Sequence, residues 1–131
     1  MSAAPTRFFP VYAAAAAALA GLAVAAGAFA AHAAPDERTR VLLETGARYQ
    51  FLHALGIVAA LAFWRWGGAA ARHAPPLFLL GTALFSGSLY ALAAGAPGWA
   101  GVITPLGGLC FLAGWAMLAW AGARLRWAGA P

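Results

Sequence analysis

The sequence predicts an all-α integral membrane protein, a bundle of four transmembrane helices with a short interfacial helix between the first and second. Three observations predict it. Of the 131 residues, 64% are hydrophobic and only 8% are charged, far from the balance of roughly half apolar and a quarter charged in soluble domains. Four apolar runs of about 19 to 24 residues recur along the chain, and a helix needs about 20 to cross the hydrocarbon. The backbone of a spanning segment must satisfy its own hydrogen bonds, so the runs are read as helices. The length fits a single domain over residues 1–131.

The first run covers about residues 9–32. A modest basic start and a small-residue stretch around Ala33 resemble a secretory signal. The apolar run exceeds 20 residues, longer than a signal's 7 to 15, and a retained helix is expected. Pro35 ends it, and Asp36 and Glu37 suit the first turn of another helix. Val41, Leu42 and Leu43 beside Arg38, Arg40 and Glu44 predict a short helix lying along the interface. The second span is expected at about 48–66, opening with "RYQFLHALG". Gly67, Gly68, Pro75 and Pro76 break the following connection, and the third span follows at about 77–95. A tight uncharged turn leads to the fourth, at about 102–123.

The formal charge is +5, with no lysine and with arginines scattered singly. Nucleic-acid binding needs a concentrated basic face and is excluded on that ground. The lipid bilayer is the expected partner, with other membrane-protein subunits or a homo-oligomer beside it. Arg7, Arg65, Arg72, Arg124 and Arg126 fall on one side with no acid; Arg38, Arg40 and Arg48 on the other balance Asp36, Glu37 and Glu44. The positive-inside rule places both termini in the cytoplasm of a bacterial inner membrane. A lone cysteine, Cys110, in apolar company reads as a small buried hydrophobe.

With that orientation, the uncharged polar residues gather toward the outer face. His32 ends the first span, and Tyr49, Gln50 and His53 lie in the outer half of the second. Ser86, Ser88 and Tyr90 do so in the third, and Thr104 opens the fourth. At about 1.5 Å per residue, His53 and Ser86 both lie roughly 10 Å below the boundary. Tyr49 and His53 share a helix face that Gly56 continues, and Thr82, Ser86 and Tyr90 also step by four. Such residues face a bundle interior or a wet cavity, which predicts a shared polar layer. The layer has two readings, a hydrogen-bonded seam or a binding pocket.

His53 is the leading functional candidate, because an imidazole two turns into a span needs a specific partner. Hydrogen bonds to Tyr90, Ser86 or Thr104 would satisfy it without any further role. Paired imidazoles from two spans can hold haem iron, but His53 lies deeper than His32. No His/Asp/Glu cluster completes a zinc site, so no metal and no cofactor are expected. No span holds a carboxylate to pair with a histidine, which leaves acid–base or nucleophilic catalysis without its parts. Gly27, Gly81, Gly87, Gly107, Gly108 and Gly114 are expected to pack helices closely.

The stretches "GAFAAHA" at 27–33, "TGARYQFLHALG" at 45–56, "LFSGSLYAL" at 84–92 and "ITPLGGLCFLAGW" at 103–115 together resemble the domain-of-unknown-function 423 family. The resemblance covers about residues 20 to 120 and implies a small four-helix inner-membrane protein with its first helix retained. Ala30 departs from the family's usual glycine, as does Ala33 after the histidine. The family carries no assigned activity. The expected role is therefore a non-enzymatic accessory or scaffold subunit. The alternative is a module that binds or transports a small solute, a proton, or a quinone or lipid headgroup through the polar layer.

Overall fold

The computed structural model describes residues 7–125, so Arg126, counted above for orientation, lies outside the described residues. All regular structure among them is helical: α1 (Phe8–Ala33), α2 (Glu37–Arg65), α3 (Ala74–Ala93) and α4 (Thr104–Ala123). One-turn 3₁₀ segments, Ala69–His73 and Gly98–Val102, precede α3 and α4. Consecutive helices pack side by side and antiparallel. Gly27 faces Ala47 while Phe9 meets Trp64. Tyr90 reaches Gln50 while Phe78 covers Gly56, and Ser88 meets Thr104 while Phe78 covers Gly114. The pair α2–α3 is central, with α1 packed on α2, and α4 packed on α3 and more lightly on α2.

The stretch expected to form a separate interfacial helix is instead the first third of α2, which runs unbroken for 29 residues. Nothing between Val41 and Arg48 stops a helix; Gly46 is tolerated because its missing side chain makes room for Tyr90, described below. At 1.5 Å per residue α2 is roughly 43 Å long, longer than a hydrocarbon core of about 30 Å, and its first turns carry Glu37, Arg38, Arg40 and Glu44. Those turns are stitched along one face, where Arg40 bonds Glu37 and, at 2.6 Å, Glu44. Among the described residues three stretches are long and apolar enough to cross a membrane: Phe8–Ala33, Ala69–Ala93 and Gly98–Ala123. In α2, Arg48, Gln50 and His53 interrupt the apolar run and set it apart from them.

Asp36 caps α2 by accepting from the Thr39 backbone N–H at 2.8 Å and from its hydroxyl at 2.9 Å. The Thr39 backbone N–H, and then its hydroxyl, hold the Asp36 carboxyl below its usual pKa. A carboxylate with a depressed folded-state pKa stabilises fully above the ordinary value, and the effect is lost as pH falls through the lowered one. The protection of the Thr39 amide against hydrogen exchange, taken relative to its intrinsic rate at each pH, is therefore expected to be high at neutral pH and to fall in acid. In Asp36→Ala it is expected to be low at neutral pH as well.

Pro75 and Pro76 do not precede α3 but occupy its first turn, where a missing N–H is no loss; Pro105 does the same in α4. Gly67 and Gly95, with φ of 99° and 93°, follow the last turns of α2 and α3. Their left-handed backbone lets Gly68 N–H reach Phe63 O at 2.8 Å and Ala96 N–H reach Ala91 O at 2.9 Å, closing each helix end.

α1 buries only Ala16, Ala23 and Ala30, seven residues apart, and leaves Val11, Leu22, Val24 and Phe29 exposed. A narrow alanine seam therefore holds α1 to α2, and its other sides are dressed for lipid. The tightest packing lies elsewhere, where aromatic rings occupy the space above glycines. Phe78 is fully buried between Gly56 and Gly114; a Cβ on either would come within 2.9 or 2.5 Å of its ring. Phe111 fills the place above Gly81, and Gly107 lies against the Phe85 backbone. Gly27 is looser, since a Cβ there would stand 4.0 Å from that of Ala47, and a Cβ on Gly87 or Gly108 would meet nothing within 4 Å. Gly46 and Gly56, absent from the sequence-based packing set, are among the closest-packed.

Candidate functional site

Tyr49 and Gln50 are neighbours in α2, and successive side chains on a helix point about 100° apart. They accordingly face different partners, and the single polar layer expected from the sequence resolves into separate hydrogen-bonded units. On the α1–α3 side, Gln50 Nε2 donates to Leu19 O of α1 at 2.8 Å, and Gln50 Oε1 accepts from Tyr90 Oη of α3 at 2.9 Å. Ser86, buried to 1% exposure, donates to Gly46 O at 2.7 Å. The Tyr90 ring lies where a Gly46 side chain would be, 2.6 Å from its Cβ position. One amide and one phenol therefore join three helices.

Toward α4 the geometry centres on His53, which is 4% exposed. Its Nδ1 is 2.6 Å from Tyr49 O, and its Nε2 is 3.1 Å from Trp115 Nε1. A carbonyl only accepts and an indole N–H only donates. Nδ1 therefore carries the proton, Nε2 is the acceptor, and the ring is neutral. It stacks on Phe111 at 3.4 Å between ring centroids and 6° between planes, with Phe78 at 5.4 Å. Trp115 in α4, not Tyr90, Ser86 or Thr104, is the partner. The signal for it was the step of four from Phe111 to Trp115 along the α4 face that meets α2.

Ser88 and Thr104 form a third unit, 2.6 Å apart, with Ser88 also bonded to Phe85 O at 2.8 Å. Tyr49 contributes its carbonyl and ring: it packs 4.5 Å from Phe85 and is 38% exposed. Thr82, one turn below Ser86, is buried, and its hydroxyl has no partner among the described residues. His32 is exposed on the last turn of α1. Gln50 is level with Leu19, so His32 lies 13 residues, roughly 20 Å, farther along α1. The two histidines are too far apart to share a metal or a haem. Among the described residues no three His, Cys, Asp or Glu side chains gather at one place.

Two open grooves flank the hydrogen-bonded units. One, of about 560 Å³, runs between α1 and α3 over Gln50, Thr82 and Tyr90. The other, of about 530 Å³, runs between α2 and α4 past Tyr49, His53 and Trp115. Both are walled mainly by aliphatic and aromatic side chains. The arrangement can fix helix register.

The Gln50 unit gives a graded expectation. Gln50→Leu removes bonds to two helices and is expected to lower unfolding stability in mild detergent by about 1–2 kcal/mol. Tyr90→Phe removes one of them and is expected to cost about 0.6 kcal/mol. Denaturant titration of both variants checks the order.

Residues 26–108 match the profile of a family described as a protein of unknown function (DUF423). A UPF0382 membrane protein of Haemophilus influenzae is 40% identical over 100 residues, covering 74% of this chain and 81% of that one. The UPF0382 membrane protein YwdK of Bacillus subtilis is 43% identical over 103 residues, 74% of this chain and 83% of its own. The UPF0382 inner membrane protein YgdD of Escherichia coli K12 is 39% identical over 107 residues, 79% and 82% of the two chains. No solved structure matches.

Proposed function

The chain belongs to the DUF423 family of membrane proteins, and from that premise we propose that it is a non-enzymatic accessory or scaffold subunit, built to hold a fixed helical surface in the inner membrane. In this reading α2 is the fourth span, with residues from about Arg48 inward in the hydrocarbon and both termini cytoplasmic. One observation carries it: apart from Thr82, whose hydroxyl has no partner among the described residues, the buried polar side chains of the central helices are bonded within the bundle. Gln50 is held by Leu19 O and Tyr90, His53 by Tyr49 O and Trp115, Ser86 by Gly46 O, and Ser88 by Thr104. A group with both hydrogen-bonding positions occupied holds helices together; a ligand would have to break those bonds first.

The exposed apolar faces of α1 and α4, including Leu22, Val24, Leu109 and Leu112, are the surfaces such a subunit offers to lipid and to other helices. A second reading, binding of a quinone or lipid headgroup in the α2–α4 groove, draws on Tyr49 and Trp115, 38% and 43% exposed beside His53. Purification of the tagged full chain in mild detergent separates the two. The scaffold reading expects a colourless, metal-free protein that elutes with stoichiometric membrane subunits or as a homo-oligomer. A haem band, bound metal or bound quinone that disappears in His53→Ala would replace it. Cysteine labelling of residues 45–48 from outside the cell tests the orientation; labelling from the cytoplasmic side alone would reverse it.

A further inference from the structure

A third depression, separate from both grooves, lies between α1 and the outer end of α2. It has a volume of about 310 Å³, with Ala23 and Gly27 on one wall, Ala47 and Phe51 on the other, and Glu44 and Arg48 at its rim. It stays open where Ala23, Gly27 and Ala47 face one another, since even a Cβ added to Gly27 would stand 4.0 Å from that of Ala47. Its long axis runs from the charged end of α2 toward the middle of the bundle. Ala23 and Phe51 lie at the deep end, Gly27 and Glu44 at the shallow one.

The rim charges are not equivalent to a basic patch. Glu44 gives Oε1 to Arg40 at 2.6 Å, and its Oε2 has no partner among the described residues. Arg48, one turn on, is exposed and takes part in no ion pair among the described residues. Residues four apart on a helix are neighbours on its surface. The crevice thus presents one acceptor carboxylate oxygen and one free guanidinium a helical turn apart, above a narrow apolar slot.

We infer that this crevice is a binding site for a phospholipid with a phosphoethanolamine headgroup. The phosphate pairs with Arg48, whose planar fork suits phosphate oxygens. The ammonium donates to Glu44 Oε2, and one acyl chain descends between Gly27 and Ala47 toward Phe51. Charge complementarity selects the headgroup. A phosphatidylglycerol headgroup carries the same phosphate but no ammonium to offset the Glu44 charge, and a choline headgroup has no N–H to donate to it. The site is independent of the scaffold reading, since none of its residues belongs to the hydrogen-bonded units around Gln50, His53 and Ser88.

Native mass spectrometry of the full chain tests it, with equimolar phosphatidylethanolamine, phosphatidylcholine and phosphatidylglycerol of identical acyl chains. Retention of the ethanolamine lipid above the other two is expected. Arg48→Gln should reduce it about fivefold, the effect of one basic group near a membrane surface. Glu44→Gln should reverse the preference toward phosphatidylglycerol, because the rim is then net positive. Gly27→Leu, which fills the slot, should abolish retention of all three. Equal retention of the three lipids by the unaltered protein, or retention unchanged by both Arg48→Gln and Glu44→Gln, overturns the assignment. The first of these needs no variant, so a poorly folded substitution does not protect the proposal.

Discussion

Gly107→Ala is expected to lower the unfolding free energy by about 2–3 kcal/mol, the cost of overpacking a close-packed contact. Gly108→Ala, one residue away, is expected to leave it unchanged or raised. At Gly107 an added methyl group would fall within contact distance of the Phe85 backbone nitrogen and lie 2.8 Å from Gly81 O. Neither is the end of a flexible side chain, so α3 and α4 must move apart. In doing so they lose the fit of Phe111 over Gly81 and of Phe78 over Gly114. At Gly108 no atom lies within 4 Å, and alanine is the better helix former by about 1 kcal/mol. Denaturant titration of the two variants in the same detergent checks the contrast. Equal effects would mean that the α3–α4 crossing is not at Gly81 and Gly107.

His53→Ala is expected to cost about 3 kcal/mol, the second large effect. Removing the ring leaves a cavity against Phe111 and Phe78, and deprives the Trp115 indole N–H and the Tyr49 carbonyl of their partner. Trp115→Phe is expected to cost less, about 1 kcal/mol, because it removes one donor and keeps most of the aromatic packing. In the double variant the two costs should fall short of additive, since both remove the same hydrogen bond. A fully additive pair would place Trp115 out of reach of His53.

Three of the four helices were legible as apolar runs of the length a span needs, about 20 residues, and Phe8–Ala33, Ala69–Ala93 and Gly98–Ala123 among the described residues have that length and composition. The start of α2 was misread for a local reason. Val41 to Glu44 carries an interfacial pattern of charges and leucines, and nothing in that pattern tells a separate helix from the projecting end of a longer one. The absence of a breaker between Asp36 and Arg48 was the available sign. Relative level along neighbouring helices was partly legible: Gln50 meets Tyr90, and Ser88 meets Thr104.

Rotation of one helix against its neighbours was not legible. Hydrophobic periodicity is weak when every face is apolar, as in α1 and α4, and partners across helices depend on that rotation. His53 therefore drew the wrong partners, and Trp115 was not singled out. The glycines divide for the same reason. Gly81, Gly107 and Gly114 face a helix, Gly87 and Gly108 face away, and composition treats them alike.

The most direct test of the account is the tautomer of His53 in the folded protein. Solid-state ¹⁵N NMR of histidine-labelled protein in lipid bilayers, assigned with His53→Ala, reads the two ring nitrogens separately. A neutral ring is expected at pH 7, with the proton on Nδ1 and Nε2 accepting from Trp115, and a shifted Nε2 resonance in Trp115→Phe. A proton on Nε2, a charged imidazolium or a metal-shifted resonance would contradict it, because His53 would then be holding something other than its neighbouring helix.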